Sequence, residues 1–298
     1  MIVVNVNAGL ANQMFHYAFG RGLVAKGLDV CYDQSNFKPS LKHEAICLQD
    51  AFPGIELRQM PAGHFRWVVT EYNENSRYVK KLACWLRKLS NYVGYETYIL
   101  ESSYGYTEGM ERKATGNCIY RGFWQSEKYF KHCEADIRKQ FTFSPFDEPQ
   151  NIETAHQMRM ENSVAIHFRK GKDYLQDTNL GELCTVDYYL SAIQYIREHV
   201  EHPVFYVFTD NPRWVDENLP GLDAIRVNWN ELSGKRCYRD MQLMACAKHN
   251  IIANSTYSWW GAWLNPNPEK IVVAPKQFFH PSRFFSSSDI VCQDWIAL

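Results

Sequence analysis

The most chemically pointed run in this sequence is HFRKGKDY, in which His167 and Arg169 alternate with apolar residues at the end of SVAIHFR. If that run is a β-strand, side chains two apart leave it on the same side, so one ligand could touch both. Arg169 is a permanent fork of donors suited to phosphate, and Lys170 and Lys172 add positive charge around Gly171. A solvated basic turn is the competing account, and the place at a strand's carboxyl end weighs the two equally. VFYVFTDN ends in Asp210 and Asn211, with Pro212 placed to open a helix. A carboxylate there accepts hydrogen bonds from a base or ribose, but both residues are ordinary helix caps, and alone the segment reads better as a cap.

NIIANSTYSWWGAWL offers Asn254, Ser255 and Thr256 where a strand gives way to a helix, with Ser258 beside them. Free N–H groups and hydroxyls at a helix start make a phosphate seat, and simple capping uses the same residues. Trp259, Trp260 and Trp263 read as core before they read as a sugar platform. In NAGLANQMF, Gly9 permits a tight turn and Asn12 stands at a helix start, close to any ligand over the loop. The loop is neither a dinucleotide fingerprint nor a P-loop, which lowers dehydrogenase and nucleoside triphosphatase readings. No GxSxG elbow, HExxH or Asp-x-Asp metal motif occurs.

These residues need strand ends to carry them, and the hydrophobic patterning supplies strands. Ile2–Asn7, a helix over Gln13–Lys26 closed by Gly27, and Asp29–Asp33 read as a β-loop-α-β opening, which requires parallel strands. An amphipathic helix at Lys80–Tyr92, strands at Glu96–Glu101 and Cys118–Phe123, and a helix at Glu127–Phe141 follow. The polar stretch SPFDEPQN marks a domain boundary, giving halves 1–150 and 151–298. The second half alternates SVAIHFR, VFYVFTD, AIRVNW, NIIAN and KIVVAP with helices at Asp187–His199, Arg239–His249 and Ser255–Leu264, a doubly wound α/β pattern.

The 298 residues, 46% hydrophobic and 22% charged, suffice for one or two globular cores at roughly 150 residues per domain. A formal net charge of -1 gives no overall attraction to nucleic acid. Nine cysteines without CxxC pairs or zinc spacing read as reduced thiols of a cytoplasmic protein. No basic region precedes the apolar run at Ile2, and no run approaches the 18 or so residues of a membrane span, so secretion and spanning are not expected. Peripheral contact with the inner face of the cytoplasmic membrane stays open, as does the oligomeric state.

Together the four segments resemble the α-1,2-fucosyltransferases, glycosyltransferase family eleven. GLANQMFHYAFGRGL is similar to the family's GLGNQMFQYAFG signature and HFRKGKDY to its HxRRxDY motif. FTDNPRW resembles its Ser/Thr-Asp-Asp segment, and NSTYSWWGAWLNP its C-terminal signature, in the same order along nearly the whole chain. The resemblance implies a GT-B-like fold of two Rossmann-like halves, with the donor in the cleft and mainly on the C-terminal half. It further implies GDP-β-L-fucose as donor, inversion, no required metal or other cofactor, and O2 of a galactose in a glycan as acceptor, in polysaccharide biosynthesis. Carried over by position, Arg169 binds the β-phosphate, His167 and Asp210 face the guanosine, Ser255 and Thr256 hold phosphate oxygens, and Asn254 and Ser258 complete the donor-binding set. Asn12 approaches the donor from the N-terminal half. The departures are Lys170 at the family's second arginine, Ala11 for a glycine, and Lys172 as an extra residue before Asp173.

The chemistry agrees with this reading. Negative charge develops on the departing diphosphate, and without a metal it must be met by Arg169 and backbone amides. If a base acts on the acceptor hydroxyl, Asp173 is the first candidate, with Glu182 and Asp187 behind it. Two other classes compete: a protein O-fucosyltransferase, which shares the donor, and a non-catalytic carbohydrate-binding protein, which has no need of a phosphate seat.

Overall fold

Four short runs form the first sheet, and three of them, Ile2–Asn5, Val30–Asp33 and Cys118–Arg121, are buried almost throughout, as parallel strands usually are. In the computed structural model, which describes residues 1–35, 37, 47–61, 76–93, 97–101, 104–114, 117–280 and 287–298, the chain divides into two units, Met1–Thr142 and Phe143–Leu298. The first unit contains β1 (Ile2–Asn5), α1 (Leu10–Ala25), β2 (Val30–Asp33), α2 (Leu48–Ala51), α3 (Arg77–Val93), β3 (Thr97–Leu100), β4 (Cys118–Arg121) and α4 (Glu134–Gln140). Its strands run parallel in the order β2-β1-β4-β3. Helix α1 stops where expected: Gly27, at φ +83, takes the left-handed conformation after it and donates its N–H to the Val24 carbonyl at 2.9 Å.

One expected helix is broken. Over Glu127–Phe141 there are two 3-10 turns, Glu127–Tyr129 and Lys131–Cys133, and only then α4. Phe130 and Cys133 leave helical dihedrals, which lets the adjacent Tyr129 and Phe130 both enter the core against Phe19 and Phe15. A regular helix would point them 100° apart.

The second unit contains α5 (Pro149–Met160), β5 (Ser163–Phe168), α6 (Lys172–Leu175), α7 (Val186–His199), β6 (Val204–Thr209), α8 (Pro212–Asn218), β7 (Ile225–Val227), α9 (Arg239–Met244), β8 (His249–Ile251), α10 (Thr256–Leu264), β9 (Val272–Ala274) and β10 (Ile296–Ala297). All six strands are parallel, in the order β10-β9-β8-β5-β6-β7. The pleat of β5 divides the core. Val164, Ile166 and Phe168 pack with Tyr189, Ile193 and Ile196 of α7, whereas Ala165 packs with Met158 of α5 and Leu243 and Met244 of α9. Helix α9 ends five residues short of the expected His249, because Asn250 Nδ2 donates to the carbonyl of Met244 at 2.9 Å and turns the chain into β8.

The expected boundary at residue 150 moves to 142/143, because SPFDEPQN is tied into the second unit. Buried Arg239 donates to the carbonyls of Ser144 and Pro145, both at 3.1 Å, pairs with Asp147 and Glu148, and lies over the Phe146 ring. The two prolines there are not linker punctuation alone: Pro149 opens α5 at the first helical position.

Two titratable groups, one buried and one half-buried, brace the turn after β4. His16 accepts from Asn7 N–H at Nδ1 (3.5 Å) and its Nε2 bonds the Gly122 carbonyl at 2.9 Å; burial pushes this imidazole down to about 4. Glu101 accepts from Phe123 N–H (2.6 Å) and Trp124 N–H (3.2 Å), and burial raises its carboxyl to about 7 despite those bonds. The signs oppose. His16, depressed from 6.5, contributes stability that is present above pH 6.5 and lost as the pH falls toward 4. Glu101, raised from 4.5, contributes stability that is present below 4.5 and lost as the pH rises toward 7. Glu101→Gln removes the compensating half, so its melting temperature should fall more steeply than the parent's between pH 6.5 and 4.5. Superimposable pH profiles of thermal melts would refute the assignment.

Candidate active site

Because β5, β6 and β8 are adjacent and parallel, their carboxyl ends lie side by side, and His167, Arg169, Asp210 and Asn254–Ser255 come from those ends. Arg169 is held between two carboxylates: Nη1 pairs with Asp210 and Nη2 with Asp173, one turn away at the start of α6. The two partners differ. Asp210 is 14% exposed and also accepts Lys170 N–H at 2.6 Å, whereas Asp173 is 71% exposed. Gly171 makes this knot possible, since a Cβ there would lie 2.7 Å from both an Asp173 and an Asp210 carboxylate oxygen.

Two of the competing accounts fall away here. Asp210 is not the helix cap; Asn211 is, its Oδ1 accepting from Trp214 N–H at 3.2 Å while its Nδ2 donates to the Lys170 carbonyl at 2.9 Å. Nor is the basic run a solvated turn. Lys170 is buried, with Nζ donating to the Cys184 carbonyl at 2.6 Å and 4.4 Å from the Trp214 ring centroid, and burial lowers its pKa. Lys172, by contrast, is exposed.

His167 lies on the same side of β5 as Arg169, its ring 6.1 Å from that of Tyr257. Its Nδ1 is buried with no partner among the described residues. Burial first, then the Arg169 charge, push the imidazole down to about 4 against the opposing pull of Asp210. It is therefore neutral near pH 7, and its unpaired buried nitrogen is one of the few polar atoms here that hydrogen bonding within the described residues does not account for.

The helix-start cluster separates into two roles. Ser255 caps α10 by accepting from Tyr257 N–H at 3.3 Å, Thr256 is the first helical residue, and buried Ser258 donates to the Ser255 carbonyl at 3.3 Å. Asn254 is occupied by structure. Its Nδ2 donates to the carbonyls of Leu180 (2.9 Å) and Phe278 (3.1 Å), and its Oδ1 accepts from Tyr174 Oη and from Cys184 Sγ (3.2 Å). Burial keeps that thiol protonated by raising its pKa to about 12. The three tryptophans are core, with Trp259 Nε1 donating to the Ile290 carbonyl at 2.6 Å.

Of the reserve acids, exposed Glu182 lies near enough to act electrostatically on Lys170, and Asp187 sits in the first turn of α7, exposed. In the first unit Asn12 is in the first turn of α1, its Oδ1 accepting from Gln125 Nε2 at 2.9 Å. Sequence reasoning gave no part to Tyr174, Cys184 or Tyr257. The pairing of Tyr174 with Asn254 crosses 80 residues, so only the motif DY, with its invitation to ask what the tyrosine touches, hinted at it. None of the nine cysteines forms a disulfide. Among the described residues no helix is long and apolar enough to cross a membrane, and no group of three His, Cys, Asp or Glu side chains could hold a metal ion.

The sequence profile of glycosyl transferase family 11 matches residues 77–298. The chain belongs to that family. An alpha-1,2-colitosyltransferase of Escherichia coli is 28% identical along 100% of this chain and 99% of its own length. The O-antigen biosynthesis glycosyltransferase WbnK of Escherichia coli is 36% identical over 46% of this chain and 45% of itself. Human galactoside alpha-(1,2)-fucosyltransferase 1 is 26% identical over 48% of this chain and 42% of itself. Among solved structures, a mutant of Arabidopsis thaliana FUT1 in complex with GDP superposes with a TM-score of 0.50 at 13% identity, covering 94% of this chain and 71% of that one. The fold of this family 11 glycosyltransferase is thus GT-B-like, α/β with two parallel-sheet halves.

Asn254→Ala separates structural from ligand-binding use of that residue. Losing its buried bonds should cost about 2–4 kcal/mol of stability, seen as a lower melting temperature and denaturant midpoint. An unchanged melt with weakened nucleotide binding would return Asn254 to the ligand.

Proposed function

We propose that this glycosyltransferase moves L-fucose from GDP-β-L-fucose to O2 of a galactose in a glycan, with inversion to an α-1,2 linkage and without a metal. The carrying observation is Arg169, a guanidinium fixed between Asp173 and Asp210 at the strand ends, close in the fold to the start of α10. A diphosphate competes with the exposed carboxylate, not the buried one. It takes the Nη2 side of Arg169 from Asp173, while Asp210 continues to hold the fork through Nη1. The β-phosphate then meets a preorganised cation, with the α10 amides and the Ser255 and Thr256 hydroxyls as further donors, so charge arriving on the leaving group is met without reorganisation. Freed Asp173 is the first candidate to accept the proton of the attacking hydroxyl. Neutral His167 offers Nδ1 to the guanosine.

Family membership and the 26% identity to an enzyme named for galactoside α-1,2 transfer support fucose and the linkage. A colitosyl donor is the second reading, favoured by similarity to the colitosyltransferase along the whole chain. Incubation with GDP-fucose and GDP-colitose in parallel, over a panel of galactosides and folded protein domains, followed by linkage analysis, distinguishes them. Fucose α-1,2-linked to galactose is expected, with most transfer surviving EDTA. Transfer of colitose alone, transfer to protein alone, or activity abolished by EDTA and restored by manganese or magnesium would each overturn the corresponding part.

Arg169→Ala should lower turnover by about two to three orders of magnitude, about 3–4 kcal/mol, with a cooperative melt retained. Arg169→Lys should rescue little, because a point charge does not replace the planar fork. Asp173→Asn should tighten GDP binding, by removing a competing anion, while lowering turnover; unchanged GDP affinity by calorimetry would sink the displacement scheme.

A further inference from the structure

Helix α3 carries an apolar stripe that the fold leaves in solvent. Tyr78, Leu82, Trp85, Leu89 and Tyr92 follow one another at intervals of four, three, four and three residues, which aligns them on one face. Tyr78 is 86% exposed, Trp85 58% and Tyr92 88%, with Leu82 and Leu89 about half exposed. This is not the face that docks on the unit: Ala83, on a different side of the helix, is 1% exposed. The 17 residues include Arg77, Lys80, Lys81, Arg87 and Lys88 and no acid, in a chain whose formal net charge is -1. Lys81 and Lys88 are exposed and border the stripe on the helical wheel beside Tyr92.

We propose that α3 is a membrane-surface anchor, lying in the plane of a bilayer with this stripe among the acyl chains and the bordering Lys81 and Lys88 on anionic headgroups. The composition selects that occupant. Tyrosine and tryptophan have rings suited to the boundary between headgroup and chain, leucine to the chains below, and a basic polar border to acidic lipid. Five basic residues in 17 are too many for a spanning helix and suit one that lies flat. A two-fold contact between copies through the same face would instead set like charges against each other. The inference does not depend on the donor or acceptor assigned above.

Flotation of the full chain with vesicles tests it, using phosphatidylcholine alone and phosphatidylcholine with about one third phosphatidylglycerol. The chain should float with the anionic vesicles, remain below with the neutral ones, and be released at about 0.5 M salt. The double substitution Trp85→Ser with Leu89→Ser, at exposed positions, should abolish flotation without changing the melt. Lys81→Glu with Lys88→Glu should weaken binding to the anionic vesicles at least about tenfold. No flotation of the parent, equal flotation with both lipids, or unaltered flotation of both variants overturns the proposal. So does a dimer of the parent, measured by sedimentation without lipid, that the Trp85 and Leu89 substitutions convert to monomer.

Discussion

Parallel pairing of β5 with β6 on one side and β8 on the other is the constraint from which the candidate site follows. With all strands running the same way, three segments separated by about forty residues each deliver their polar ends to a single edge. The apolar parts of those strands must be covered on both faces, and α5, α7 and α9 cover them. The polar carboxyl ends of these strands gather a guanidinium, an imidazole and a helix start at one edge of the sheet.

The edge is assembled with little slack. Arg169 cannot rotate freely while Asp210 is itself held by the Lys170 amide, and Lys170 is held by the Cys184 carbonyl and the Trp214 ring. Asn254 joins the same network from β8 through Tyr174 and Cys184. Such connectivity fixes the first arginine at the expense of the residues around it, several of which are spent on support. His167 is the exception, a buried nitrogen without a hydrogen-bond partner among the described residues. Burying that atom unpaired is unfavourable by itself.

The first unit repeats the principle at smaller scale. The turn after its strand β4 is held by half-buried Glu101 and buried His16, whose titrations act in opposite directions on stability. Its other distinguishing element, α3, has a docking face and a separate apolar face, a combination that core packing does not require.

Hydrophobic periodicity and turn residues determined, without coordinates, the parallel α/β class, most strand positions, the α1 stop at Gly27, and the strand-end places of His167, Arg169, Asp210 and Ser255, because those depend on neighbours within a few residues. Periodicity also located α3 nearly end to end. Tertiary structure alone decided how each polar residue was used. Whether Asp210 or Asn211 capped α8 depended on where the Lys170 amide came to rest, forty residues away. Lys170 became a buried strut, and Asn254 a joint, through carbonyls and a thiol that no local pattern announces. The 3-10 turns before α4 arose because two adjacent aromatic rings had to enter one core, and the unit boundary shifted because Arg239 reached back over ninety residues to hold Ser144 and Pro145. Long-range hydrogen bonds and burial carry no periodic signature, so these choices appear only when the chain is folded.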